Sequence, residues 1–188
     1  MSPLSFGFAK GQRNSNIADL AVQYGNYFVF EYQFTNGSDL DTRTGFIYPA
    51  IGAGDSNTQY EGWNRSGNEF LYWGGDNTGN GFESCYIDKQ QVLTAYPGIT
   101  YIEIDLRCFW YGSYGSNGVV IKTNAYTGGS MVKSGFQWTN PTATYSFPAV
   151  YSIAKDITAN QYSNNGNGER AARVKLDFSN FTLTYYQD

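Results

Sequence analysis

The sequence predicts an all-β protein, a single-domain antiparallel β-sandwich with one short helix near residues 89–95. Three observations carry this. Aromatic residues make up 18% of the 188 positions and charged residues only 15%, a balance that suits packed sheets and not a disordered chain. Apolar and polar residues alternate with period two in several segments, as in strands with one buried face. Glycine, asparagine and proline cluster between those segments at the spacing of antiparallel turns. The length fits one domain.

Residues 1–24 read as an N-terminal arm or lead-in segment, within which 17–22 adds at most one short element. The sandwich domain is expected over 25–188. Its first strong strand runs from Tyr27 to Thr35. There Phe28, Phe30, Tyr32 and Phe34 point one way, and Tyr27, Val29, Glu31, Gln33 and Thr35 point the other. Asn36-Gly37 then signals a turn, because both residues tolerate positive φ. Short strands follow at 43–48, 69–73 and 84–87. Asp88 is placed to cap a short helix that Pro97-Gly98 stops. Residues 99–110 are the clearest strand. Ile102, Ile104, Leu106 and Cys108 form one face; Tyr101, Glu103, Asp105 and Arg107 form a wetter one. Segments 119–126, 131–138, 144–154, 172–178 and 181–186 bring the set to about nine to eleven strands. Turn signals between them are Asn117-Gly118, Gly128-Gly129, Asn140-Pro141 and the run from Asn164 to Gly168.

Composition excludes several function classes. With no histidine and 2 cysteines, the chain builds neither a Ser-His-Asp triad nor a Cys-His dyad, nor a tetrahedral zinc site of nitrogen and sulfur ligands. It has no G-x-S-x-G elbow, Walker loop or G-x-G-x-x-G turn. Its 12 Lys+Arg stand against 16 Asp+Glu, a formal charge of -4, which argues against a nucleic-acid partner. No apolar run is long enough to insert in a membrane as a helix, and the N-terminus does not read as a signal peptide. The sequons at Asn36, Asn64 and Asn180 are accordingly read as coincidence. Cys85 and Cys108 lie in strand-like runs and read as half-buried free thiols; a cross-strand disulfide stays open at this level.

Oxygen donors concentrate in two places: residues 37–42, with Asp39 and Asp41, and residues 74–83, with Asp76, Asn77 and Glu83. Two residues apart on an extended segment, Asp39 and Asp41 point to the same side. The glycines after Asp76-Asn77 let the backbone curl and aim carbonyls inward. Calcium takes roughly 6–8 such oxygens. The spacing is not that of an EF-hand.

Asp39-Leu40-Asp41-Thr42-Arg43-Thr44 resembles the "DLDAS" segment of the tellurium-resistance TerD family. Residues 75–81, followed by Glu83 and a strand ending at Asp88, resemble that family's "GDNxTGxG…DE" loop. The match spans about residues 27–110. It implies a calcium-binding β-sandwich with ligands from both loops. The second loop is shorter than the family's, and Phe82 stands where an acidic residue is expected, so the carry-over stops at Asp39, Asp41, Asp76, Asn77 and Glu83. Fewer carboxylates imply weaker binding, or one ion instead of two. The segments DLDTRT (39–44), YWGGDNTG (72–79), IEIDLRCFWYG (102–112) and VKSGFQWTNPTAT (132–144) are also similar, from about residue 27 onward, to domains of tailed-bacteriophage virion proteins, including tail-fibre proteins.

Trp63, Tyr72, Trp73, Trp110, Tyr111 and Tyr114 are candidates for a sugar-stacking surface. Glu103 and Asp105 are the nearest carboxylate pair, but alternating charges on a strand face, with Arg107 as partner, explain them better than glycosidase chemistry. The expected function is therefore non-enzymatic: a bacteriophage virion structural protein, decorating the capsid or forming part of the tail. Calcium would stabilise it, and it would assemble as a homo-oligomer with other virion proteins in the host cytoplasm. The alternatives are a glycan-binding receptor module of a tail fibre and a TerD-like bacterial stress-response protein.

Overall fold

The alternation read over residues 27–35 is realised as a strand in the computed structural model, which describes residues 12–13, 15–35, 39–51, 59–112, 117–162 and 166–187. The elements are β1 (Gln12–Arg13), α1 (Ser15–Tyr24), β2 (Tyr27–Phe34), β3 (Leu40–Tyr48), β4 (Tyr60–Gly62), β5 (Leu71–Trp73) and β6 (Gly81–Asp88). There follow α2 (Lys89–Ala95), β7 (Tyr101–Trp110), β8 (Asn117–Thr127), β9 (Val132–Ser134), β10 (Gln137–Thr139), β11 (Tyr145–Ile157), β12 (Glu169–Asp177) and β13 (Thr182–Tyr186). One sheet has the order β1-β11-β8-β2-β6-β5 and the other β13-β12-β7-β3-β4. All pairings between these strands are antiparallel, and the two sheets pack face to face as the expected sandwich.

The core lies between the sheets. Phe28, Phe30, Tyr32 and Phe34 from β2 are at most 1% exposed, and Ile102, Ile104, Leu106 and Cys108 from β7 are fully buried. Phe34 meets Trp110 edge-on across the layers, with centroids 6.2 Å apart. Buried hydroxyls also cross the gap. Tyr32 Oη and Thr44 Oγ1 lie 2.9 Å apart, and Thr123 bonds Tyr185. A buried hydroxyl is costly without a partner, so each such pair fixes the relative position of its two strands.

Asp88 caps α2 as its sequence suggests, its Oδ1 accepting from the Gln90 and Gln91 amides at 2.9 and 3.2 Å. Residues 15–24, read as part of an arm, form a second helix whose Ala18, Ala21 and Val22 enter the same core. Residues 1–11 and 14 lie outside the described residues, as do the Asn36-Gly37 turn, Asn164-Asn165 and Tyr114. Asn117-Gly118 begins β8 and is not a turn.

Residues 131–138 do not form one strand. They fold into the β9–β10 hairpin, because Gly135 adopts φ +60° and reverses the chain. The hairpin lies over the outer face of the larger sheet. Ser84 Oγ donates to the Phe136 carbonyl at 3.2 Å and accepts from the Trp138 amide at 2.9 Å, and Gln137 donates to Glu31 at 3.0 Å. That cover explains why Val29 and Glu31, expected on the polar face of β2, are buried.

The outer face of β7 is drier than its pattern suggests. Asp105 is 1% exposed, held by Arg107, Arg170 and Tyr60. Gly45 makes room for the Tyr60 ring; a Cβ there would come within 2.4 Å of it. Cys85 and Cys108 are free thiols, fully buried on opposite sheets.

Candidate metal centre

Both acidic segments reach the same end of the sandwich. Asp39 and Asp41 open β3 on the smaller sheet, and Asp76 lies on the connection from β5 to β6 on the larger one. The carboxylate oxygens of Asp39, Asp41 and Asp76 approach within 4.8 Å of one another. Two oxygens bound on opposite sides of one calcium ion are about 5 Å apart, so the separation suits a shared hard cation. Every donor in the group is oxygen, which also fits.

Asp41 is the deepest member at 1% exposure. Neither of its carboxylate oxygens has a hydrogen-bond partner, and Asp39 Oδ1 and Asp76 Oδ1 are buried and unpartnered as well. Burial, then the charges of Asp39 and Asp76, push the Asp41 carboxyl up to about 7 against the pull of Arg43. Asp39 is raised by burial and by Asp76, and Asp76 by burial. Three carboxylates held this way repel one another when ionised, and either a proton on Asp41 or a bound divalent cation would relieve the repulsion.

Glu83 and Asn77, named as ligands by the resemblance, make hydrogen bonds within the protein that brace the two acidic segments. Glu83 is fully buried on β6 and stands outside the three-acid group. It accepts from the Thr42 hydroxyl on β3, from the Asn77 amide at 2.8 Å and from Trp73 Nε1 at 3.3 Å. Thr42 follows Asp41 and Asn77 follows Asp76, so one side chain braces both acidic segments. Burial pushes the Glu83 carboxyl up to about 8, against these donors. The side-chain oxygen of Asn77 accepts from the Gly79 amide at 3.2 Å, and its Nδ2 donates to the Phe82 carbonyl at 3.3 Å. Asn77 thus shapes the loop that carries Asp76. Thr42 was not singled out in the sequence, although it shares the inward face of β3 with Leu40 and Thr44.

The aromatic candidates separate into three settings. Three of them contact the acidic segments, two through the main chain and one through its indole. The Tyr111 amide donates to the Asp39 carbonyl at 3.0 Å, the Trp63 amide to the Thr42 carbonyl at 3.0 Å, and Trp73 reaches Glu83. Tyr111 is 51% exposed. Tyr72 lies on the larger sheet, stacked on Tyr86 with centroids 4.5 Å apart. Trp110 is a core residue at 0% exposure, its indole donating to the Ile157 carbonyl at 3.0 Å; it offers no ring face to a ligand. Glu103 and Asp105 pair with arginines, Arg173 at 3.4 Å and Arg107 at 2.7 Å.

No protein-family model matches the chain, and neither a curated protein nor a solved structure is significantly similar to it.

Proposed function

We propose that this protein is a non-enzymatic structural module of a bacteriophage particle, a capsid-decorating or tail component in which a calcium ion ties the two sheets together at one end. The observation that carries the cation is Asp41: buried at 1% exposure, unpartnered at both oxygens, and faced by Asp39 and Asp76. A buried carboxylate without partners is costly in its ionised form unless a cation balances it. Asp39, Asp41 and Asp76 would hold the ion, with Glu83 and Asn77 keeping their two segments in place. An ion that binds only the folded chain stabilises it by mass action.

The particle assignment rests on the sequence resemblance to virion domains and on a composition rich in aromatics and poor in charge, which suits contacts between subunits. Calcium titration followed by thermal unfolding tests the cation. A melting temperature indifferent to calcium, to a chelator and to Asp76→Ala would discard it. Mass spectrometry of purified particles tests the location; a high copy number supports decoration. Recovery of the chain only from uninfected bacterial cells would favour the stress-response alternative.

A glycan-binding role is the second reading. It is favoured by the contacts of Trp63, Trp73 and Tyr111 with the two acidic segments and by the 51% exposure of Tyr111. A glycan array without hits counts against it.

A further inference from the structure

Helix α1 has more apolar surface than the core takes up. Ala18, Ala21 and Val22 enter the core, while Asn16, Asp19 and Gln23 make a polar side. The remaining Ile17, Leu20 and Tyr24 stand at i, i+3 and i+7, one stripe along the helix. They are 38%, 46% and 55% exposed. The stripe is one wall of a groove of about 440 Å³ lined by Leu20, Tyr24, Thr127, Tyr145 and Phe147. Tyr145, on the other wall, is 61% exposed. Thr127 is the register partner of Tyr145, and its Oγ1 donates to the Tyr24 carbonyl at 3.0 Å. Both walls are thus tied to one residue, and the groove is built before anything enters it.

We infer that a second copy of this chain covers the stripe, the two α1 helices crossing antiparallel about a two-fold axis at Leu20. Ile17 lies three residues before Leu20 and Tyr24 four after it. The crossing therefore sets each Ile17 against the other copy's Tyr24, and each ridge beside the other's groove. The same patch serves both sides, as a two-fold contact requires. Charge favours this occupant. None of the residues lining the groove is charged, so a charged partner finds no counter-charge there. Two copies of a chain of formal charge -4 meet at this face without setting like charges against each other.

The chain leaves β1 in the wrong direction to fill the groove itself. Gln12 is opposite Ser152 and Arg13 opposite Tyr151, so the chain before Gln12 sets out towards Ile157, whereas Tyr145 is at the other end of β11. The groove is also remote from the three aspartates. Thr127 ends β8 beside the start of β2, while the connection that carries Asp76 enters β6 opposite Phe34, at the end of β2. The contact therefore needs no cation. Area sets its strength. The exposed parts of Ile17, Leu20, Tyr24 and Tyr145 come to about 400 Å² per copy, on the scale of the roughly 150–250 Å² of a whole aromatic side chain. That is about half of what each partner buries in a standard interface, so the dimer is weak and reversible.

The test is sedimentation velocity of the full chain from micromolar to millimolar concentration, with EDTA present so that no cation bridges molecules. The wild type passes from monomer to dimer and no further, since a two-fold contact closes on itself. Leu20→Glu sets two carboxylates face to face across the axis and weakens dimerisation about tenfold or more. Tyr145→Glu, from the other wall, also weakens it. Tyr162→Glu leaves it unchanged: Tyr162 is 73% exposed and follows Gln161, whose amide donates to the Trp110 carbonyl at the aspartate end. A wild type that stays monomeric throughout overturns the inference and leaves the stripe to residues 1–11 or to a different protein. Growth beyond the dimer overturns the two-fold crossing, and equal weakening by Leu20→Glu and Tyr162→Glu overturns the site. If Leu20→Glu does not fold, Tyr145→Glu against Tyr162→Glu decides in the same way.

Discussion

Thr42 on one sheet donates its hydroxyl to Glu83 on the other. Both side chains are buried, so the bond has no water to replace it. Thr42→Val keeps the shape and removes the donor. The expected cost is about 1–2 kcal/mol, read as a lower midpoint in chemical denaturation. The calcium response should weaken with it, because Glu83 also holds the Asn77 amide beside Asp76.

Calcium is expected to raise the melting temperature, and EDTA to return it. At a free concentration a hundredfold above the dissociation constant the gain is about 2.7 kcal/mol, or roughly 5–10 °C for a chain of this length. Asp41→Asn should abolish the gain. Without the cation the same substitution should leave stability equal or higher, since it relieves the repulsion among Asp39, Asp41 and Asp76.

Asp105→Asn removes the charge shared by Arg107 and Arg170 and leaves both guanidinium groups facing each other. The expected loss is about 3–5 kcal/mol at neutral pH. Burial alone would raise the Asp105 carboxyl, but the Arg170 and Arg107 donors outweigh it and hold it below its ordinary 3.8. A carboxyl lowered by folding contributes stability above pH 3.8 that is lost as pH falls through the folded value. Denaturation midpoints of the wild type should therefore drop on acidification below about pH 4, with a smaller drop in Asp105→Asn.

Trp110→Ala is expected to cost about 3–5 kcal/mol, as large aromatic truncations in a core do. Trp110 sits at 0% exposure against Phe34. Tyr111→Ala, one residue on and 51% exposed, should leave stability within about 0.5 kcal/mol. The pair separates packing from any surface role when glycan binding is assayed.

The strands over 27–34 and 101–110 were legible from the alternation that aims one face of each at the core, and the start of α2 from the capping side chain of Asp88. Legibility failed where a second layer covers the outer face. The β9–β10 hairpin buries Val29 and Glu31, and the arginine pairs bury Asp105, without any trace in the local period. The acidic group was readable in part. Asp39 and Asp41 declare themselves by spacing, and Asp76 by its loop, but the bracing role of Glu83 depends on Thr42 lying opposite it in the other sheet. The run of Arg43, Arg107 and Arg170 was invisible for the same reason, since these residues become neighbours only through strand register.

Cys85 and Cys108 face the same interior from opposite sheets, at 0% exposure, with their thiols pushed far up by burial. They are therefore deaf to alkylating reagents while the sandwich stays shut. Under excess reagent, modification proceeds only as fast as the molecule opens. Each cysteine keeps time for its own sheet. If the layers part as a unit, both thiols react at one rate; if one sheet loosens first, its cysteine reacts first, and the order of opening is written in the order of labelling.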